Sequence, residues 1–111
     1  MVEFIEFQLF SDFVRWGLES PGGIAVDWIH DLLFWTDSGT RRLEVMTLDT
    51  KIRHVLISRD LDKPRGIAVH PKHGLVFWTD WGMDNFSINS RDYLPLINFH
   101  RILKFQDLIL K

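Results

Sequence analysis

Residues 21–37 read PGGIAVDWIHDLLFWTD, and residues 64–80, 43 positions later, read PRGIAVHPKHGLVFWTD. The two stretches align without a gap and are identical at 11 of 17 positions. A period of this length lies in the range of roughly 40–45 residues that one four-stranded β-propeller blade occupies. The repeat therefore predicts two consecutive blades. It argues against a helical array, whose units need longer runs of 3.6-residue periodicity.

Four strands can be placed in the first repeat. Residues 23–26 are small and β-branched, which suits a crowded inner strand, and residues 32–36 follow a short turn as the second strand. Residues 42–48 alternate, with Leu43, Val45 and Thr47 on one face and Glu44, Met46 and Leu48 on the other, and residues 53–58 complete the set as an outer strand. Residues 61–64 then lead into the second copy. We expect an antiparallel meander and an all-β fold.

The motif at the end of the second strand resembles that of a known family. Phe34-Trp35-Thr36-Asp37 and Phe77-Trp78-Thr79-Asp80 are similar to the Tyr-Trp-Thr-Asp motif of low-density lipoprotein receptor class B repeats. The flanks agree as well, with Gly-Ile-Ala-Val-Asp-Trp at 23–28 and Trp-Thr-Asp-Trp-Gly at 78–82. The resemblance covers residues 17–82.

The resemblance implies a receptor and not an enzyme. In this family six repeats close into one extracellular propeller, and the members are membrane receptors that bind protein ligands in endocytosis or Wnt-type signalling. Six blades of this period need roughly 260 residues, so we expect the 111-residue chain to be part of a six-bladed β-propeller. Three alternatives remain open: a short protein that closes a ring by self-association, a truncated gene product, and a fragment of a propeller enzyme.

The chain departs from the family pattern in two respects. Phe34 and Phe77 replace the family's Tyr, so any hydrogen bond made by that hydroxyl is lost in both copies. After Gly82 the pattern stops, and residues 83–111 do not continue the third strand of the second repeat in a recognisable way.

We therefore divide the chain into four segments. Residues 1–20 are the outer strand of a preceding blade or an unrelated segment, and residues 21–63 are the first blade repeat. Residues 64–87 are an incomplete second repeat, and residues 88–111 are a non-family tail. The apolar spacing of this tail from Leu96 onward is compatible with an amphipathic helix.

The composition restricts the partners. The formal net charge is −2 and no run of Lys or Arg exceeds two residues, so nothing favours nucleic acid or direct membrane contact. The absence of Cys indicates a reducing compartment or a module stabilised by its neighbours. Glu3 and Glu6 interrupt the apolar N-terminus, so we expect no signal peptide, and no stretch approaches the roughly 18 apolar residues of a membrane span.

Most motif residues have structural roles in this interpretation. Trp35 and Trp78 suit the wedge between neighbouring blades, and Asp37 and Asp80 can accept backbone N–H bonds that hold neighbours in register. The structural set is Phe34, Trp35, Thr36, Asp37, Phe77, Trp78, Thr79, Asp80, Gly23 and Gly66. We expect no catalytic, cofactor or metal residues, because His70 and His73 lack the further ligands that a metal site needs.

Four residues are candidates for more than packing. Trp81 follows the second motif and is a candidate ligand anchor at a loop rim. His30 and His73 occupy the same repeat position in a turn, and the family's release of ligands in acid suggests them as pH sensors. Asn85 begins an N-glycosylation sequon, Asn-Phe-Ser.

Overall fold

The computed structural model describes Val14, residues 17–82 and residues 87–95. These residues form two antiparallel sheets, which we call the first and the second blade. The first blade is a meander of β1 (Pro21–Asp27), β2 (Leu32–Asp37), β3 (Arg42–Thr47) and β4 (Arg53–Ile57). The second blade has β5 (Pro64–His70), β6 (Leu75–Asp80) and β7 (Ser87–Asp92) in the same order. The all-β prediction and the two-blade organisation are confirmed.

The turns repeat as faithfully as the strands do. The β1–β2 turn has a left-handed residue at Asp31 (φ 56°), and the β5–β6 turn has one at the equivalent Gly74 (φ 64°). The inner strand of each blade carries a β-bulge just after its Pro, between Pro21 and Ile24 and again in β5. Because the bulge precedes the predicted inner strand, β1 begins two residues earlier than the sequence indicated.

The blades stack through alternate residues of their strands. Phe34 and Leu43 of the first blade are completely buried against Trp78 and Val76 of the second. The opposite face of the first blade buries Trp35 in a separate cluster with Val14. Each sheet thus has two different faces, and the Trp of the motif points to one while the Phe points to the other.

The interpretation that the repeat ends after Gly82 was wrong for residues 87–92. This segment is β7, paired with β6 from Leu75↔Asp92 to Asp80↔Ser87. The equivalent first-blade pairs are Leu32↔Thr47 and Asp37↔Arg42, so β7 follows its motif two residues later than β3 does. An even insertion keeps every side chain on its expected face. The polar composition, SINSRD against RLEVMT, concealed the strand.

Both ends of the chain are described only in part. Val14 packs into the cluster around Trp35, and the partly buried Ile57 packs against the inter-blade cluster from the equivalent repeat position. The predicted helix from Leu96 onward lies outside the described residues, as does most of 1–20. Within the described part of the chain, no helix is long and apolar enough to cross a membrane.

Candidate binding surface

The motif aspartates bind the linker that leads into each blade through hydrogen bonds to its backbone N–H groups. Asp37 is completely buried and accepts backbone N–H bonds at 2.9 Å from Glu19 and from Ser20, both in the linker before β1. It also accepts bonds from the turn after β2, from Gly39 at 2.9 Å and Thr40 at 3.1 Å. Four donors occupy one carboxylate, which leaves it no role in handling a substrate.

Asp80 repeats this arrangement in the second blade. Its oxygens accept N–H bonds from Asp62, Lys63 and Gly82, each at 2.9 Å. Asp62 and Lys63 lie 43 residues after Glu19 and Ser20. The linker from β4 to β5 is therefore tied to the end of β6, so the carboxylate joins consecutive blades.

The donors keep both aspartates ionised. Burial raises the pKa of Asp37, but the N–H bonds from Glu19 and Ser20, then Thr40 and Gly39, outweigh it and hold the pKa below its usual value. The pKa of Asp80 is likewise lowered, with burial opposing its N–H bonds. A carboxyl that stays charged at neutral pH does not serve as a general acid.

The threonine before each aspartate distinguishes the two blades. The Thr36 hydroxyl accepts the Gly23 N–H at 2.9 Å and donates to the Arg65 carbonyl of the second blade at 2.6 Å. The Thr79 hydroxyl accepts the Gly66 N–H at 3.0 Å in the same way. The threonine of the first blade thus bonds directly to the inner strand of its neighbour.

The two motif tryptophans lie on corresponding faces of their blades. Trp78 packs between the blades beside Phe34. Trp35 is completely buried on the far face of the first blade, with the Arg53 guanidinium 5.0 Å from the ring centroid. Arg53 also bonds the Glu44 carboxylate at 3.0 Å. Both rings are packing residues in this geometry.

The paired histidines have different surroundings. The His30 ring bonds Asp27 at 2.8 Å and its side chain is only 14% exposed. In the second blade His70 replaces Asp27, so His73 stacks on His70 at 4.6 Å in an exposed turn. A common pH-sensing role for His30 and His73 therefore has no common geometry to support it, and it stays a prediction.

Sequence reasoning missed a buried contact that links the blades. The Tyr93 hydroxyl donates to the Asp27 carboxylate at 2.6 Å, although the residues are 66 positions apart. Burial raises the pKa of Asp27, but hydrogen bonds from Tyr93 and His30 outweigh it and lower the pKa. Tyr93 is the only Tyr of the chain, and its place one residue past β7 was hidden with that strand.

One end of the blade pair combines an exposed aromatic ring with a cleft. Trp81 follows directly after β6, and its side chain is 57% exposed. Its backbone N–H donates to the Lys63 carbonyl at 3.1 Å. The residues before and after it, Asp80 and Gly82, line a cleft of about 610 Å³ together with Arg41 and Asp62. The Arg41 guanidinium lies 4.0 Å from the Asp62 carboxylate. This end can present an apolar anchor next to charged groups.

The other end carries apolar residues that the sequence analysis did not single out. Trp28 and Ile29, in the β1–β2 turn, are 53% and 67% exposed, and Ile52 in the β3–β4 connection is 48% exposed. Asn85 lies outside the described residues. Among the described residues no three His, Asp or Glu side chains come together as a metal site.

Comparisons with known proteins agree with this architecture. Residues 31–71 match the family model for low-density lipoprotein receptor repeat class B, from the β1–β2 turn into the second blade. Human low-density lipoprotein receptor-related protein 8 is 51% identical over 42 residues, which are 38% of this chain and 4% of the receptor. Mouse low-density lipoprotein receptor-related protein 5 is 51% identical over 45 residues, or 40% of this chain and 3% of the receptor.

A solved structure extends the likeness. A chain in the crystal structure of a nidogen/laminin complex superposes with a TM-score of 0.68 and 42% identity, covering 72% of this chain and 30% of that chain. The match is thus to part of a larger molecule in every case.

Proposed function

We propose that this chain, which carries a low-density lipoprotein receptor class B repeat, is a section of the ligand-binding propeller of a cell-surface receptor. Its relatives are receptor-related proteins, and its structural neighbour belongs to a protein complex. Both support a protein ligand in place of a small-molecule substrate. The run from Gly17–Gly23 through Asp37-Ser38-Gly39-Thr40 resembles receptor-related protein member four, the agrin co-receptor, and supports an assignment to that member.

The finer parts of the proposal follow from that assignment. The propeller lies on the extracellular side of the cell membrane, carries N-linked glycan at Asn85, and acts in endocytosis or in Wnt-type or agrin signalling. The location and the signalling roles come from the resemblance in residues 17–82, and the glycan comes from the sequon that begins at Asn85.

Exposed Trp81 is the observation on which the binding site depends. Its side chain is 57% exposed, whereas Trp35 and Trp78 are buried, and its sequence neighbours Asp80 and Gly82 line the cleft. Aromatic side chains at the centre of a contact contribute much of the affinity in protein complexes. We therefore place the ligand against the end of the blades that carries Trp81.

Replacement of this ring tests the binding site. We expect Trp81→Ala to weaken binding of the chain to soluble agrin by at least about tenfold, which is the usual effect of removing an aromatic anchor. Trp28→Ala is the matched control, because Trp28 is 53% exposed at the opposite end of the blades. Surface plasmon resonance with immobilised chain measures both. Equal effects of the two substitutions would contradict the placement at Trp81.

A second experiment tests the assignment to a receptor. An antibody raised against residues 21–82 should detect, in membrane fractions of tissue, a product far larger than 13.2 kDa that is labelled by a membrane-impermeant biotin reagent. Detection of only a 13.2 kDa cytosolic band would refute the receptor proposal.

A further inference from the structure

The outer strand of the first blade, β4, has an edge that no other strand of the described residues covers. β4 stands last in the four-strand order and pairs only with β3 within that part of the chain. Blades of a propeller stack face to face around a central channel, so the outer strand lies at the rim and further blades leave its edge free. Val55, in the middle of β4, is 46% exposed. A complete propeller therefore also presents this edge.

The backbone bonds show which groups of β4 point outward. The Thr47 N–H donates to the Ile52 carbonyl at 3.1 Å, and hydrogen-bonded and non-hydrogen-bonded pairs alternate along an antiparallel ladder. Val45↔His54 is therefore a hydrogen-bonded pair, and Val55 directs its N–H and its carbonyl away from β3. An extended segment beside β4 can bond to both groups, which is how a strand is added to a sheet edge.

An arginine of the second blade lies at the same edge. The Arg91 guanidinium, from β7, donates to the Leu56 carbonyl of β4 at 3.0 Å. Arg91 pairs with Val76, which is buried between the blades, so it reaches β4 from the side of the second blade. It is exposed, and a guanidinium has several further N–H donors that can bind a carboxylate. A cation is thus held beside the outward backbone groups of β4.

The charges of the edge select the kind of partner. β4 contains no acid, and its Arg53 is paired with the Glu44 carboxylate at 3.0 Å. Arg91 therefore gives the edge its positive charge. A second β4 edge would bring two such cations together, which is how charged residues prevent edge-to-edge pairing of like sheets. An acidic segment is instead attracted by the same charge.

We propose that β4 binds an extended acidic segment of a partner protein, added as a fifth strand of the first blade. Directly paired residues share a face of the sheet, so the residue opposite Val55 lies beside its exposed side chain and is apolar. The neighbours of that residue point to the other face, where Arg91 reaches β4, and are acidic. The expected segment thus alternates acidic and apolar residues. This rim site goes beyond the receptor function and is independent of the binding site at Trp81.

Binding of a synthetic peptide tests the rim site. The probe is fluorescein-labelled Glu-Val-Glu-Val-Glu-Val-Glu, which should give saturable binding to the chain in fluorescence anisotropy. Lys-Val-Lys-Val-Lys-Val-Lys should bind at least about tenfold more weakly, because Arg91 repels it. Equal binding of the two peptides, or binding of neither, would overturn the proposal.

A substitution at Val55 tests the backbone bond. Val55→Pro removes the outward N–H and leaves the pairing with β3 in place, since proline is tolerated where the N–H of an edge strand faces solvent. It should weaken binding of the acidic peptide about fivefold to tenfold. Val55→Thr is the matched control, because it keeps the N–H and the β-branched shape. If the two variants bound equally, with folding verified by circular dichroism, strand addition would be excluded.

Charge exchange tests the arrangement without a proline. Arg91→Glu should reverse the preference, so that the basic peptide binds more tightly than the acidic one. Trp81→Ala should leave binding of both peptides unchanged, because Trp81 lies at the end of the blades and not at the rim. An unchanged preference in a folded Arg91→Glu variant, or loss of peptide binding with Trp81→Ala, would overturn the proposal. Binding of agrin is measured separately, so the two sites fail or succeed independently.

Discussion

Asp37 and Asp80 receive backbone N–H groups in the same geometry in two different blades. A buried carboxylate is costly unless its oxygens are fully bonded. Here the linker and the following turn donate these bonds, so the bonds offset the cost of burial and also hold both segments in place. At the residue scale the motif aspartate therefore joins the end of one strand to the linker before the blade through hydrogen bonds.

The ionisation of these aspartates predicts acid lability. Their pKa values are lower in the folded chain than when unfolded, so their contribution to stability is complete above the unfolded value of about 4. It is lost as the pH falls through the lower folded values. We expect the double variant Asp37→Asn with Asp80→Asn to lose roughly 3 kcal/mol or more at neutral pH and to show a flatter pH dependence below about pH 4.

Urea denaturation at a series of pH values measures this effect. Asp31→Asn is the control, because Asp31 is exposed in a turn with φ 56°, a conformation that Asn tolerates. If the double variant kept the acid dependence of the unaltered chain, the stabilising role of the motif aspartates would be refuted.

At the scale of the strands, the inner strands of the two blades, β1 and β5, approach each other so closely at Gly23 that no side chain fits there. A Cβ at Gly23 would lie 2.4 Å from the Arg65 carbonyl oxygen, while one at Gly66 would meet only the Thr79 side chain, at 3.1 Å and beyond. Both glycines occupy the same repeat position. The difference arises because β5 faces β1, whereas the equivalent side of β5 is open in the described part of the chain.

This difference predicts unequal effects of one substitution. Gly23→Ala should destabilise the chain by about 2–3 kcal/mol, because a backbone carbonyl must move. Gly66→Ala should cost less than about 1 kcal/mol, since the added methyl group meets no backbone atom and only a small shift of the Thr79 side chain is needed. Thermal or urea unfolding compares the two variants. Equal losses would show that the close approach of β1 and β5 is not what requires glycine.

At the scale of the whole molecule, two blades are held by an apolar interface and a few polar bonds across it. The Tyr93 hydroxyl to Asp27 bond is the most buried of these, and the Phe34 ring lies 4.8 Å from that of Tyr93. Tyr93 N–H donates to the Gly74 carbonyl at 2.7 Å, as Leu48 does to Asp31, so Tyr93 is the counterpart of Leu48. Tyr93 has a hydroxyl where Leu48 has none, and this hydroxyl makes a hydrogen bond from the second blade to the first.

Removal of that hydroxyl predicts weaker coupling of the blades. Tyr93→Phe should destabilise the chain by about 1–2 kcal/mol, because Asp27 stays buried with one donor fewer. Asp27→Asn combined with Tyr93→Phe should cost less than the sum of the two single changes. Additive losses in this double-mutant cycle would show that the hydroxyl and the carboxylate do not interact.

Much of the fold could be predicted from the sequence because repetition is a strong signal. Two copies of one pattern fixed the strands around Trp35 and Trp78, their order and their antiparallel pairing. The third strand of the second blade could not be predicted, since β7 has a polar composition and follows a connection two residues longer than its counterpart. Pattern recognition depends on composition and spacing, whereas a strand needs only backbone partners and a consistent face.

The candidate surface was accessible to prediction only in part. Trp81 was identified from its place after the motif, but Trp28 and Ile29 were not, because exposure is not encoded in residue type. The sequence by itself determined that one residue pattern repeats after 43 positions, and therefore that the chain forms blades. Only the tertiary structure decided that Tyr93 meets Asp27, and that Phe77 and Ile88 are exposed whereas Phe34 and Leu43 are buried. Those outcomes depend on which side of each sheet is covered, a property of the packed blades and not of the local sequence.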